Sequence, residues 1–270
     1  MPSVSPVQMR EILCRSALNR TGIPGFDYCM NPYGGCTHGC VYCYASFMCR
    51  FTGREEKWGE FLDIKTNFPH ILAKQLAGRR RPPEGKVLIG TVTDAYQPAE
   101  VQWEITRSCL EILAGYPGME VHILTKSGLV RRDLDLLFRL KRCEVGFTIT
   151  TLDRAVAGVL EPGAPPPHVR LAAARELSEA GVAVWAFVAP LLPGLTDTEL
   201  SLRELSGALR KNGIGEIRLD RLNPYPAVIH RLRETYLRHF PESLPQLENY
   251  LANPAGYGRE IASRVRRAGK

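Results

Sequence analysis

The sequence predicts an α/β fold built on a parallel sheet, and three observations carry that prediction. Short runs rich in apolar and β-branched residues recur at 87–91, 121–125, 145–150, 182–188 and 217–222, with starts 34, 24, 37 and 35 residues apart. Helical patterning fills the gaps, over about 101–114, 129–140, 169–180 and 196–211. An earlier extended stretch, Phe26-Asp27-Tyr28-Cys29-Met30, adds a sixth strand just ahead of a cysteine-containing loop. Strand followed by helix at this period implies parallel strands joined by right-handed crossovers. The period alone fits either an open doubly wound sheet or a partial barrel, two repeats short of eight.

Taken in order, residues 7–18 read as a short helix ended by the turn Gly22-Ile23-Pro24-Gly25, so that 1–25 form an extension on the outside of the main unit. After the cysteine loop, 44–50 read as helical, 61–65 as extended, and 67–77 as a helix capped by Asn67. Thr196-Asp197-Thr198-Glu199 reads as a capping box for the helix over 196–211. Leu202, Leu205 and Leu209 give that helix one apolar face, and Gly213 lies past its end. Pro165-Pro166-Pro167 reads as a rigid connection. The tail, 226–270, carries a helix over 231–239 and the basic run Arg264-Val265-Arg266-Arg267, and is expected to cap the open side of a barrel.

Composition sets the outer bounds. A chain of 270 residues with 44% apolar content can bury a sizeable core. No run of about 18 apolar residues occurs, which argues against a membrane span. The opening MPSVSPVQMREILCRS lacks the basic-then-apolar order of a secretion signal, so a cytoplasmic location is expected. Five of the eight cysteines, Cys14, Cys29, Cys49, Cys109 and Cys143, are scattered, which fits reduced thiols better than disulfides. The formal charge is +7, and residues 201–270 hold thirteen Lys/Arg against seven Asp/Glu, leaving +6 there. That excess reads equally as a phosphate-binding surface or as a solvated Arg-rich face.

The other three cysteines lie in Cys36-Thr37-His38-Gly39-Cys40-Val41-Tyr42-Cys43-Tyr44, behind the turn-forming Asn31-Pro32-Tyr33-Gly34-Gly35. Thiolates this close repel one another unless a metal takes up their charge. Structural zinc wants four ligands, commonly as two paired Cys/His units, and the chain has no second such unit. A four-iron cluster on three cysteines would keep one iron open.

The pattern C-x-x-x-C-x-aromatic-C resembles the motif of radical S-adenosylmethionine (SAM) enzymes, and NPYGGCTHGCVYCYA more narrowly resembles the branch related to spore photoproduct lyase. The resemblance continues through Thr93-Asp94, Thr125-Lys126-Ser127, residues 147–153 and 188–194, covering roughly 26–225. It favours a (β/α)6 partial TIM barrel with its site at the C-terminal strand ends, and short N- and C-terminal extensions. It implies that Cys36, Cys40 and Cys43 hold a [4Fe–4S] cluster whose fourth iron chelates SAM. One electron from a flavodoxin or ferredoxin would then release a 5′-deoxyadenosyl radical that abstracts hydrogen. It also implies that Lys126 meets the SAM carboxylate, that Thr93 and Thr148 supply hydroxyls, and that Tyr44, Ala189 and Leu191 lie on the adenine side. His38 is expected to structure the loop. Asp94, Tyr96 and Glu100 are expected at the substrate mouth, with Asp94 and Tyr96 as catalytic candidates. Asp153 and Glu161 are expected there too, although a helix cap accounts equally well for Asp153.

Two departures stand out. Thr91 occupies the position where the resemblance puts a hydrogen-donating cysteine, which argues against thymine-dimer repair. Gly163 in LEPGAPPP stands where related sequences carry arginine, implying a lost anchoring contact. Two function classes follow. One is a radical SAM enzyme, with nucleic acid as the candidate substrate and a metabolite or peptide as the rival. The other is a non-catalytic Fe–S or zinc protein with a sensing or scaffolding role. Lys126, Thr93 and Thr148 favour the enzyme. Arg221, Arg231, Arg233 and Arg238, interleaved with Tyr225, Tyr236 and His239, suit phosphates and exposed bases.

Overall fold

The repeating runs become strands of one sheet. The computed structural model describes residues 7–78, 81 and 83–268. Its strands are β1 (Gln8–Ile12), β2 (Asn19–Arg20), β3 (Tyr28–Met30), β4 (Tyr33–Gly34), β5 (Phe61–Lys65), β6 (Gly85–Ile89), β7 (Met119–Thr125), β8 (Cys143–Thr148), β9 (Ala183–Leu191) and β10 (Glu216–Arg221). Its helices are α1 (Cys49–Thr52), α2 (Phe68–Ala77), α3 (Glu100–Trp103), α4 (Ile105–Leu113), α5 (Leu134–Arg139), α6 (Arg154–Leu160), α7 (Pro167–Glu179), α8 (Glu199–Lys211), α9 (Pro226–His239), α10 (Leu244–Ala252) and α11 (Pro254–Ala268). The main sheet runs β10-β9-β8-β7-β6-β3-β2. Its pairs are parallel except β2 with β3. Six parallel strands followed by helices make the expected (β/α)6 partial barrel. Among the described residues no helix is long and apolar enough to cross a membrane.

The period-2 alternation of side chains sorts each strand into two faces. Val87, Ile89, Val121, Ile123, Val145 and Phe147 are fully buried, as are Leu72, Leu110 and Leu136 of the covering helices. The intervening residues Leu88, Leu124, Thr148 and Phe187 instead line a central cavity. Its wall includes Trp185, whose indole lies against the backbone of Gly146. A Cβ at 146 would sit 2.3 Å from the indole Cζ2, so only glycine leaves room. The Arg218 guanidinium covers the indole at 4.0 Å from the ring centroid. Nearby, Arg218 reaches Glu144 at 3.3 Å, while His122 stands 3.2 Å from Glu144 and 2.9 Å from Glu120.

The N-terminal region departs from expectation. Residues 8–12 form no helix; β1 pairs in parallel with β5, within a small sheet ordered β1-β5-β4. Tertiary bonding overrides local propensity here. The Asn67 amide grips both the N–H and the carbonyl of Cys14, at 2.8 and 2.9 Å, and Gln75 does the same for Leu18 at 2.9 and 3.1 Å. Asn67 does precede α2, but its side chain serves Cys14 rather than capping the helix. Residues 1–6 of the expected N-terminal extension, and 269–270 of the basic tail, lie outside the described residues.

At the other end, α8 begins at Glu199, capped by Thr198, whose hydroxyl accepts from Ser201 N–H at 3.1 Å. The reciprocal half of the capping box is absent, since Glu199 pairs with Arg203 and Arg267. Pro167 opens α7 rather than extending a loop. Much of the basic tail is spent internally: Arg233 pairs with Glu248 and Arg264 with buried Asp197. Tyr236, expected at a base-stacking surface, is buried and donates to Pro193 O at 2.9 Å.

Gly146→Ala should destabilise the protein by about 1–3 kcal/mol, because the pinned indole must move to admit one methyl group. A lowered urea midpoint would show this. A midpoint equal to the parent's would mean that Trp185 is free to shift.

Candidate active site

The cysteine loop has almost no regular structure of its own, so its shape is imposed by braces. Internal turns bond Gly39 N–H to Cys36 O and Cys43 N–H to Cys40 O, at 3.2 and 3.1 Å. Val41 N–H donates to Leu160 O, and Gly163 N–H donates to His38 O, at 2.9 and 3.0 Å. Gly163 approaches so closely that a Cβ there would lie 2.1 Å from Thr37 O. In this chain the glycine is a seat for the loop, and an arginine could not occupy it without displacing Thr37. From the β6 side, Gln97 Oε1 accepts from Thr37 N–H at 3.0 Å, and the Thr93 hydroxyl donates to Gly35 O.

The loop's deepest support is ionic. Glu161 is buried, takes hydrogen bonds from the Tyr42 and Thr150 hydroxyls, and pairs with the equally buried Arg170. Burial pushes its carboxyl up, but Arg170 and Lys126 outweigh that and hold it below the usual glutamate range. Glu161 therefore does not line a substrate mouth, as its sequence context had suggested. Asp153 caps α6 by accepting from Ala155 and Val156 N–H, at 2.8 and 3.1 Å.

So held, Cys36, Cys40 and Cys43 face one cavity of about 450 Å³. All eight cysteines are free. Burial raises all three of these thiols; Asp94, then Cys40 and Cys43, push Cys36 further, and Cys40 reaches about 12. Among the described residues, Glu120, His122 and Glu144 are the one trio whose ligand atoms all fall within 4.8 Å of one another. The Cys36, Cys40 and Cys43 sulfurs do not form such a trio. Tetrahedral zinc at about 2.3 Å from each sulfur would need them roughly 4 Å apart. Other buried groups also await a partner: His38 Nε2, Trp58 Nε1 and Trp185 Nε1 all belong to cavity-lining residues and find no acceptor or donor among the described residues. The donor set fits a sulfur-rich, hydrogen-bond-accepting occupant.

The predicted SAM residues largely converge. Lys126, Thr93, Thr148, Ala189 and Tyr44 line the same cavity as the thiols, each near the C-terminal end of its strand or just past the cysteines. Burial would lower the Lys126 ammonium; Cys40, Glu161 and Cys43 outweigh it and hold it above its ordinary value. Its Nζ lies 5.6 Å from the Tyr42 ring centroid, and no carboxylate is within ion-pairing range among the described residues. The Tyr44 hydroxyl donates to Thr91 O. Leu191 is buried and does not line the cavity, although its neighbours Ala189 and Pro190 do.

The catalytic candidates fare differently. The Asp94 carboxylate reaches the cavity wall but is occupied by Thr125 Oγ1, Lys126 N–H and Tyr96 N–H, at 2.7, 2.7 and 2.9 Å. It fixes the strand end that carries Lys126. His38 Nδ1 lies 3.4 Å from it, and burial lowers the imidazole below its ordinary value, so His38 is a neutral loop residue. Tyr96 is 0% exposed, does not line this cavity, and donates to Asp133 at 3.0 Å. Glu100 is likewise buried, bonded to Tyr33 and paired with Arg132. The Asp94 turn directs Tyr96 and Glu100 inward, away from this cavity.

On the opposite wall, reading the sequence had picked out Arg221 alone. Arg218, Asp220, Arg221 and Asn223, from β10 and the residues after it, complete the cavity together with Trp58 and Trp185. No motif marks them. The alternation along β10 was the one available signal.

Six parallel strands, a triple-cysteine loop and polar strand-end residues around one cavity define a class. Residues 30–205 match the Radical SAM superfamily, and the chain belongs to it. It is a radical SAM enzyme, and its cofactors are a [4Fe–4S] cluster and SAM. An uncharacterized protein of Methanocaldococcus jannaschii is 35% identical over 200 residues, 74% of each chain. One of Mycobacterium tuberculosis is 30% identical over 273 residues, 88% of this chain and 76% of its own. Spore photoproduct lyase complexed with dinucleoside spore photoproduct superposes with a TM-score of 0.67 at 20% identity, over 85% of this chain and 66% of that one. That likeness shows a shared fold, and the chain matches just under two thirds of the lyase's length.

Glu161→Gln should cost about 3–5 kcal/mol at pH 7, because it leaves the Arg170 charge buried and unpaired. The folded pKa of Glu161 lies below the unfolded one. Its contribution is therefore complete above the ordinary glutamate value and is lost as pH falls through the depressed one, below about pH 4. Urea midpoints across pH should show the parent losing this increment in acid while the variant lacks it throughout. Equal stability at pH 7 would sink the pairing.

Proposed function

We propose that Cys36, Cys40 and Cys43 bind the cluster, that Lys126 binds the SAM carboxylate, and that the substrate enters along β10. The observation carrying this is that the three thiols and the unpaired Lys126 ammonium face one cavity. When bound, the cluster and SAM supply a one-electron cleavage that yields a 5′-deoxyadenosyl radical for hydrogen abstraction. The protein's own part is to bind, orient and exclude water. Lys126 is presented rigidly because Asp94 grips its backbone N–H. Thr148 and the backbone around Ala189 offer polar contacts along the opposite strand ends. Thr93, which is committed to Gly35 and Gln97, acts by holding the loop. The electron donor is a flavodoxin or ferredoxin, and the eight free cysteines favour the reducing cytoplasm.

For the substrate, we favour a nucleic acid. Tyr44 and Phe47 stack at 6.3 Å between centroids, and Phe47 meets Tyr225 at 6.2 Å, giving a partly exposed aromatic rim beside the cavity. Arg221 lines the cavity without an ion-pair partner among the described residues. Flat faces and a free guanidinium suit a base and a phosphate. The solved lyase with its dinucleoside ligand shares this fold, which supports the reading by analogy only. Thr91 lines the cavity where the sequence resemblance places a donor cysteine, and its hydroxyl accepts from Asn31 at 2.8 Å. The reaction is therefore not thymine-dimer repair.

Anaerobically prepared protein should hold about four irons per chain. Alanine at 36, 40 or 43 should remove them, while Cys109→Ala should not. Lys126→Ala should keep the iron but weaken SAM binding by about 1.5–3 kcal/mol, roughly 10- to 150-fold, by calorimetry. Stoichiometric zinc without iron, or undiminished SAM affinity, would refute the respective assignment.

Single-stranded DNA, RNA or tRNA should stimulate 5′-deoxyadenosine formation, with binding that weakens steeply as salt rises. Arg221→Gln should lessen both effects. Stimulation by a metabolite or peptide fraction and by no nucleic acid would reject this substrate class.

A further inference from the structure

Arg231 lies 185 to 190 residues from the loop it touches. It projects from α9 to donate from Nε to Val41 O at 3.1 Å, and from Nη2 to Cys43 O at 3.3 Å and Ser46 Oγ at 2.8 Å. Every one of these acceptors is neutral. Among the described residues no carboxylate lies within ion-pairing distance of it, unlike Arg170 with Glu161 or Arg233 with Glu248. The side chain is half-buried, and burial lowers its pKa while Cys43 and Cys49 oppose that. A guanidinium remains charged at any pH of interest. Its positive charge is therefore held beside Cys43 with nothing of opposite sign to cancel it.

Resting on the assignment of Cys36, Cys40 and Cys43 as cluster ligands, we infer that Arg231 is a positioning residue with two tasks. It fixes the backbone of the third cysteine, and it supplies an unpaired positive charge that eases reduction of the cluster. A three-thiolate cluster becomes more negative by one charge when it takes up an electron. A fixed cation nearby stabilises that product more than the starting state, and so raises the potential. Lys126 cannot substitute for it, because in the proposed complex its charge is met by the SAM carboxylate. The charge of Arg231 stays available whether or not SAM is bound. The expected nucleic-acid role of Arg231 is replaced by this one, since its donors are turned to the loop rather than to solvent.

The test compares Arg231→Gln and Arg231→Lys with the parent holoprotein, by iron content and by EPR-monitored redox titration. Glutamine retains a donor but no charge; its cluster should be harder to reduce, with the reduced-to-oxidised ratio at fixed poise falling about tenfold, or about 59 mV for one electron. Lysine keeps the charge, and should keep the parent's potential while holding the loop less firmly. Arg233→Gln, which breaks a surface pair, should change neither quantity. A glutamine variant with a full cluster and the parent's potential overturns the inference. Should that variant fail to retain iron, the lysine variant decides: an unshifted potential supports the role of the charge, and a lowered one overturns it. An iron-free parent would instead overturn the cysteine assignment, and this inference with it.

Discussion

The Glu161–Arg170 ion pair is what the cysteine loop rests on. A loop that must present three sulfurs to one point cannot rely on helix or sheet hydrogen bonds, so it borrows rigidity from its neighbours. Glu161 provides a buried acceptor for Tyr42 between two of the cysteines, and the segment that follows it seats His38 through Gly163. Arg170, at the start of α7, donates to Pro165 O and Thr148 O, at 2.7 and 3.1 Å. One guanidinium thus ties together the cysteine loop, the end of β8 and the turn into α7. Buried ion pairs are weak sources of net stability but severe to disrupt. Here the pair sets geometry.

The same neighbourhood shapes the electrostatics. Lys126, Arg170 and Arg231 surround the thiols, and Glu161 balances Arg170. Without metal the buried thiols hold their protons; with it, the surplus cations suit an anionic occupant. The cavity is therefore asymmetric. One end is cationic and rich in sulfur. The other is lined by Trp185, Arg218, Asp220 and Arg221, with an aromatic rim alongside, and offers a chemically different surface to a different molecule.

Much of this was legible from the chain. The alternating runs yielded all six parallel strands, and the cysteine spacing located the centre of the cavity. Strand-end position brought Lys126, Thr93 and Thr148 to it, because parallel strands deliver their C-terminal ends to a common rim. What escaped notice was long-range. Nothing local tells that Glu161 will meet Tyr42, 119 residues away, or that Arg231 will turn to Val41 instead of solvent. Residues 8–12 look helical until β5 offers a parallel edge and Asn67 a grip. Tyr96 does not reach the cavity, because Asp94 uses its carboxylate to fold the chain back, which sends the next polar residues into the core. Charge counts erred in the same manner: an arginine surplus describes the chain, whereas partners such as Glu248 and Asp197 decide which charges remain free.

The reach of Arg231 across the chain also bears on how the protein is made. Residues 41–46 are synthesised early, yet one of their braces is not available until α9 has emerged and docked some 190 residues later. On the ribosome the nascent cysteines sit in a loop lacking both that clamp and the Glu161–Arg170 support. Until α9 docks, the carbonyls of Val41 and Cys43 lack their guanidinium donor, so the loop takes its final shape only once residue 231 is in place.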